Sequence, residues 1–88
     1  MTRVYTPQNI TTATTTTVKS GAGILGKIVV NATAAGSITV YDSLTASGTK
    51  IATMKASIGE GSYSFDAAFA TGLTVVTAAA SDITVCYN

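Results

Sequence analysis

Short segments rich in β-branched residues recur along the whole chain, and a few turn-forming residues separate each from the next. The clearest is Ser37–Tyr41, where Ile38 and Val40 alternate with polar neighbours as in a half-buried strand. No window keeps apolar residues at the period of an amphipathic helix. The spacing therefore predicts an all-β fold, a single small Greek-key or jelly-roll-like β-sandwich of about seven to eight strands. The predicted strands lie within residues 10–19, 24–31, 37–41, 50–55, 62–66, 73–75 and 82–87.

Length and composition bound the size and the surface of this fold. A chain of 88 residues can bury one thin core, and 47% hydrophobic residues with only 10% charged residues is the opposite of a disordered composition. The net charge of +1 is spread over single residues, so we expect neither a nucleic-acid nor a membrane partner. So weakly charged a surface favours coverage by identical subunits or by another protein. The alternative is a neutral, hydrated surface of Thr and Ser.

The first nine residues differ from the remainder. Pro7 and the polar pair Gln8–Asn9 interrupt strand pairing, while Val4 and Tyr5 offer apolar side chains. We interpret residues 1–9 as an N-terminal arm and residues 10–88 as the β-sandwich domain. Such an arm either frays or reaches a neighbouring subunit. Four arm residues are therefore candidates for partner binding: Arg3, Val4, Tyr5 and Pro7.

Three glycines precede and interrupt the densest aliphatic run, within Lys19–Asn31. Gly21, Gly23 and Gly26 match the spacing of a dinucleotide-binding loop, and Gly21 with Gly26-Lys27 matches most of a phosphate-binding loop. Both loops must open a helix, yet an aliphatic β-branched run follows, and Ile28 stands where the phosphate loop needs Ser or Thr. We therefore predict a turn and a bulge where a strand begins.

The alternation of that strand assigns its side chains to two faces. Ile24, Ile28 and Val30 are predicted to fill the core, and Lys27 is predicted to point away from it. Leu25 falls on the face opposite the core set. An exposed leucine there would mark a contact surface, so Leu25 is the fifth candidate for partner binding.

Residues for catalysis or metal binding are scarce. The chain has no histidine, and its one cysteine, Cys86, lies in an alternating run as a small apolar residue. The acids Asp42, Glu60, Asp66 and Asp82 lie in or beside turns, where local hydrogen bonding favours such residues. Asp42 and Asp66 could in principle bind calcium, but no regular calcium loop is present. We therefore predict no catalytic residue, no cofactor and no metal, and we expect a protein that is not an enzyme.

Several short motifs together resemble small β-sandwich virion proteins of tailed bacteriophages. They cover most of the chain after its Thr-rich start, at Val18–Leu25, Ile28–Asn31, Gly36–Asp42, Ala46–Ala52, Phe69–Val75 and Asp82–Val85. The segment Met1–Thr17 carries no matching motif. The resemblance implies a capsid decoration (cement) protein, a head-fibre base or a tail-associated module, commonly a homotrimer.

The implied function is mechanical rather than chemical. A decoration protein would bind the major capsid protein or another virion protein across subunit junctions, on the virion surface, after synthesis in the host cytoplasm. The alternative is a carbohydrate- or receptor-binding module of a phage fibre, spike or adhesin. Its motivation is the presence of Tyr41, Tyr63 and Tyr87 with acids in nearby turns.

Overall fold

Eight strands and no helix form the computed structural model, which describes residues 5–88. Within this range no helix is long and apolar enough to cross a membrane. The strands are β1 (Thr6–Ile10), β2 (Thr14–Ser20), β3 (Gly23–Ala32), β4 (Ile38–Asp42), β5 (Thr49–Met54), β6 (Gly61–Phe69), β7 (Gly72–Thr77) and β8 (Asp82–Tyr87).

The strands form two antiparallel sheets of four. Sheet A has the order β1-β8-β3-β6, and sheet B has the order β2-β7-β4-β5. Strands that follow one another along the chain lie in different sheets, except β4 and β5, which form a hairpin in sheet B. Most connections therefore cross from one sheet to the other. This is the arrangement of an eight-stranded jelly roll. The predicted all-β sandwich is confirmed.

The core lies between the sheets and consists mainly of β-branched and leucine side chains. Sheet A contributes Leu25, Ile28 and Val85, while sheet B contributes Val40 and Leu73, and all five are fully buried. Branched side chains favour strands because their restricted χ1 angle fits a pleated surface. The prediction that Ile28 and Val30 fill the core is confirmed, whereas Ile24 is only half-buried.

A bulge at Gly26 moves Leu25 to the face opposite the predicted one. In the pairing of β3 with β8, Leu25 lies opposite Tyr87 and Lys27 opposite Cys86, so Gly26 is an extra residue. An extra residue shifts the inward–outward alternation by one position. Leu25 is therefore fully buried, as is Ile28 three residues later, and Lys27 is exposed as predicted. Leu25 cannot form an exposed contact surface, so its assignment to partner binding was wrong.

The structure differs from the predicted arm where it describes that segment. Thr6–Asn9 belong to β1, which pairs with β8 from Thr6 opposite Tyr87 to Ile10 opposite Ile83. Pro7 fits within this strand because β1 is an edge strand, where the missing N–H need not serve a second neighbour. The arm candidates Arg3 and Val4 lie outside the described residues.

Candidate interaction surface

The outer face of sheet B is broad and nearly free of charge. Two rows of register-paired residues cross its four strands. We call this surface the threonine face; its residues are Thr15, Val76, Thr39 and Thr53 in one row and Thr17, Thr74, Tyr41 and Lys50 in the other. Lys50, in edge strand β5, is the charged member of the two rows.

The loop between β4 and β5 covers one end of the threonine face. The Thr74 hydroxyl donates to the Ser43 carbonyl at 2.8 Å, and the Thr17 hydroxyl donates to the Leu44 carbonyl at 3.2 Å. These bonds hold the loop against β2 and β7, and Thr74 is fully buried as a result. Leu44 remains 46% exposed, which makes it the exposed large hydrophobic residue of the described chain.

Leu44 was not predicted as a contact residue. It lies between Asp42-Ser43 and the turn cluster Thr45–Gly48, outside every predicted strand. A large aliphatic residue within a turn indicates a contact surface, because turn residues are usually polar. Leu44 belongs to no alternating strand whose buried face would account for it. Leu44 rests on Gly72, where a β-carbon would meet Leu44 Cδ2 at 2.6 Å.

The outer face of sheet A is polar and internally hydrogen-bonded. The side-chain amide of Asn9 donates to Asp82 Oδ1 and to the Ile83 carbonyl, both at 2.8 Å. From the other side of β8, the Asn31 amide donates to Thr84 Oγ1 at 3.1 Å and to Asp82 Oδ1 at 3.3 Å. These groups are already paired with one another, so this face offers a partner fewer free polar groups than its composition implies.

The two described arm candidates lie on this same outer face of sheet A. The Tyr5 side chain is half-buried, and its hydroxyl donates to Asp66 Oδ1 at 3.3 Å. Pro7 is exposed and lies opposite Cys86 in the pairing of β1 with β8. Cys86 is only half-buried there, whereas its neighbours Val85 and Ile83 are fully buried. Tyr5 and Pro7 are thus positioned by the sheet rather than by a free arm.

Each of the four acids accepts a hydrogen bond from a different residue within the described chain. Asp42 accepts from the backbone N–H groups of Ala70 and Thr71, at distances from 2.8 to 3.1 Å, and thereby holds the β6–β7 turn. These bonds lower the pKa of the Asp42 carboxyl, an effect that burial partly opposes and the Gly72 N–H reinforces. No group of three or more potential metal-ligating side chains occurs within residues 5–88.

The tyrosines that motivate a carbohydrate-binding alternative do not share one surface. Tyr63 and Tyr87 pack against the hydrophobic core, and the Tyr63 hydroxyl donates to the Gly59 carbonyl. Tyr41 lies on the threonine face, half-buried beside Thr74. Of these three tyrosines, the threonine face therefore carries Tyr41 alone.

Comparison with family models, with curated proteins and with solved structures found no match to this chain.

Proposed function

We propose that this protein is a structural component of a virus particle, a capsid decoration protein that stabilises the shell by binding across capsid subunits. The jelly-roll strand order supports this proposal by analogy, since viral capsid domains commonly use that architecture. Lectin domains use it as well, so the argument depends on the surface rather than on the fold.

The threonine face is the observation that carries the proposal. The cores of protein–protein interfaces are depleted of charged residues and enriched in aromatic ones. The threonine face combines Tyr41 with uncharged Thr and Val side chains, and the exposed Leu44 lies at its end. The outer face of sheet A instead carries Lys27, Asp66 and Asp82. Of the two outer faces, that of sheet B is therefore the one suited to burial against another protein.

The mechanism is added binding free energy at each site of the shell. A protein that binds only the assembled shell stabilises that state by mass action, in proportion to RT ln(1 + [L]/Kd). Strain or heat must then break these contacts in addition to those between capsid subunits. Because a shell repeats the contact many times, a modest contribution per site is sufficient.

We propose that the protein acts as a homo-oligomer, as the resemblance implies.

The decisive experiment compares two valines on opposite faces of the sandwich. Val76 in β7 and Val29 in β3 are both half-buried residues in the middle of a sheet, and neither belongs to the core cluster. Val76→Glu places a charge on the threonine face, and Val29→Glu places the same charge on the outer face of sheet A. Both variants are mixed with capsids assembled without the protein, and bound protein is measured by co-sedimentation.

We expect Val76→Glu to weaken binding by at least about tenfold, because an interface core buries the new charge without a partner. Val29→Glu should bind like the unmodified protein. Thr39→Glu, on the same row as Val76, provides a second test if Val76→Glu lowers the melting temperature. Equal binding by all three variants would contradict the assignment of the threonine face, and no binding by the unmodified protein would contradict the function.

A further inference from the structure

One side of the sandwich is open. Between β5, the edge of sheet B, and β6, the edge of sheet A, lies a groove of about 600 Å³. Its apolar lining consists of Met54, Ile58, Tyr63 and Phe65, and the last three are only half-buried although they pack against the core. The core is therefore incompletely covered along this side.

The two strands that border the groove each have a free edge within the described chain. β5 pairs with β4, and β6 pairs with β3, and neither has a second neighbour among residues 5–88. An edge strand presents a row of backbone N–H and C=O groups that can pair with another strand. Apolar side chains beside such an edge are the usual components of strand-addition interfaces.

Charges of opposite sign are separated between these two edges. Lys50 lies in β5 and Lys55 directly follows it, whereas Glu60 directly precedes β6 and Asp66 lies within it. All four side chains are exposed. One edge is thus basic and the other acidic, in a chain with few charges.

We propose that this side binds a second copy of the same chain around a two-fold axis, with β5 of each copy beside β6 of the other. Each sheet A would then continue into the sheet B of the second copy, and the apolar groove residues of both copies would cover one another. Such a contact is isologous, meaning that one surface patch serves both copies.

The charges select this arrangement over its alternative. Pairing β5 with β5 would place lysines against lysines, and pairing β6 with β6 would place acids against acids. In an antiparallel β5–β6 contact the start of β5 lies beside the end of β6, which brings Lys50 to Asp66 and Lys55 to Glu60. The lysines are five residues apart and the acids six. A lysine side chain spans this difference of one residue, about 3.3 Å.

This contact shares Lys50 and Thr53 of edge strand β5 with the threonine face and leaves the rest of that face, on β2, β7 and β4, free for a shell. It also differs from the trimer implied by the resemblance, since a cyclic trimer needs two different patches on each copy. The two inferences still fail separately because their tests change different residues: Lys55 and Glu60 lie outside the threonine face, and Val76 and Thr39 do not line the groove.

The test is sedimentation equilibrium of four chains: the unmodified protein, Lys55→Glu, the double variant Lys55→Glu/Glu60→Lys, and Lys27→Glu. Lys27 is an exposed lysine on the outer face of sheet A, in the interior strand β3 rather than at either free edge, and provides the charge-matched control. Melting temperatures establish that each variant is folded.

We expect a dimer mass for the unmodified protein and for Lys27→Glu. Lys55→Glu should weaken dimerisation by about tenfold or more, because it sets like charges together twice in a two-fold contact. The double variant should restore dimerisation, since the charges are exchanged rather than removed. A trimer mass, a monomer at every concentration, or equal weakening by Lys55→Glu and Lys27→Glu would overturn the inference.

Discussion

The aromatic ring of Tyr5 lies so close to Gly26 that a β-carbon at position 26 would meet Tyr5 Cζ at 2.5 Å. The contact joins the residue before β1 to the bulge of β3, across the intervening strand β8. Asp66, with a φ of 50°, accepts the Tyr5 hydroxyl at 3.3 Å. The absence of a side chain at position 26 thus allows the start of the described chain to pack across sheet A.

Gly26→Ala should displace the Tyr5 ring and lower the free energy of unfolding by about 1 kcal/mol. Gly59→Ala is the control, because its β-carbon would meet the Tyr63 hydroxyl at an ordinary 3.6 Å. In a Tyr5→Ala background the Gly26→Ala substitution should cost much less, since the clashing ring is gone. Urea denaturation of the unmodified protein, Gly26→Ala, Tyr5→Ala and the double variant measures this coupling, and strict additivity would show that the ring contact has no energetic role.

Leu25→Ala should lower the free energy of unfolding by about 2–5 kcal/mol, the range for a leucine removed from a packed core. Val29→Ala, from the outward-facing set of the same strand, should cost under about 1 kcal/mol. Urea denaturation again provides the measurement. Comparable losses for the two variants would contradict the altered side-chain alternation that the bulge produces.

The sequence predicted the strands with strong alternation and missed the features that depend on irregular backbone. Ser37–Tyr41 and the last strand were found because burial on one face imposes a period of two on their residues. The glycines of Lys19–Asn31 correctly predicted a turn and a bulge. The alternation of a single strand cannot locate a bulge, however, so Leu25 was assigned to the wrong face.

The first strand and the interaction surface were harder to foresee. Pro7 argued against a strand, and whether proline is tolerated depends on an edge position that only the assembled sheet defines. The threonine face is likewise a product of strand order, since its rows join residues from four separate segments. Leu44 could have been noticed as an aliphatic residue inside a turn.

Removal of the Thr77 hydroxyl and removal of the Ser81 hydroxyl, both buried, should have opposite effects on stability. Thr77 Oγ1 donates to the Thr12 carbonyl at 2.7 Å and accepts from the Thr14 N–H at 3.1 Å, so Thr77→Val should cost about 1–3 kcal/mol by leaving these groups unpaired. Ser81 Oγ is buried with no hydrogen-bond partner in the described chain, so Ser81→Ala should be neutral or stabilising. Thermal denaturation of both variants tests this, and a destabilising Ser81→Ala would indicate that its hydroxyl is satisfied.

The free energy of unfolding should depend on pH through the Asp42 carboxyl group. The folded-state pKa of Asp42 lies below the unfolded value, because the Ala70 and Thr71 N–H groups bind the carboxylate. The stabilisation is therefore complete above the unfolded pKa and is lost as the pH falls through the lower folded pKa. Asp42→Asn should lower the melting temperature at pH 7, and the difference from the unmodified protein should shrink in acid. Glu60→Gln, which alters a carboxylate with one contact to the Thr33 N–H, is the control. A difference that stays constant down to pH 2 would contradict this assignment.

Removal of residues 1–9 should destabilise the fold rather than detach an arm. The deletion removes the strand pairing of Thr6–Asn9 with β8, together with the Asn9 bonds to Asp82 and Ile83. It also leaves β8 as a free edge, which promotes aggregation. We expect the free energy of unfolding to fall by more than about 3 kcal/mol. Deletion of residues 1–4 leaves β1 intact and is the matched control.

Shell binding is then measured on the shorter deletion: loss of binding at an unchanged melting temperature would transfer attachment from the threonine face to the first four residues. A melting temperature unaffected by the longer deletion would show that β1 is dispensable to the sandwich.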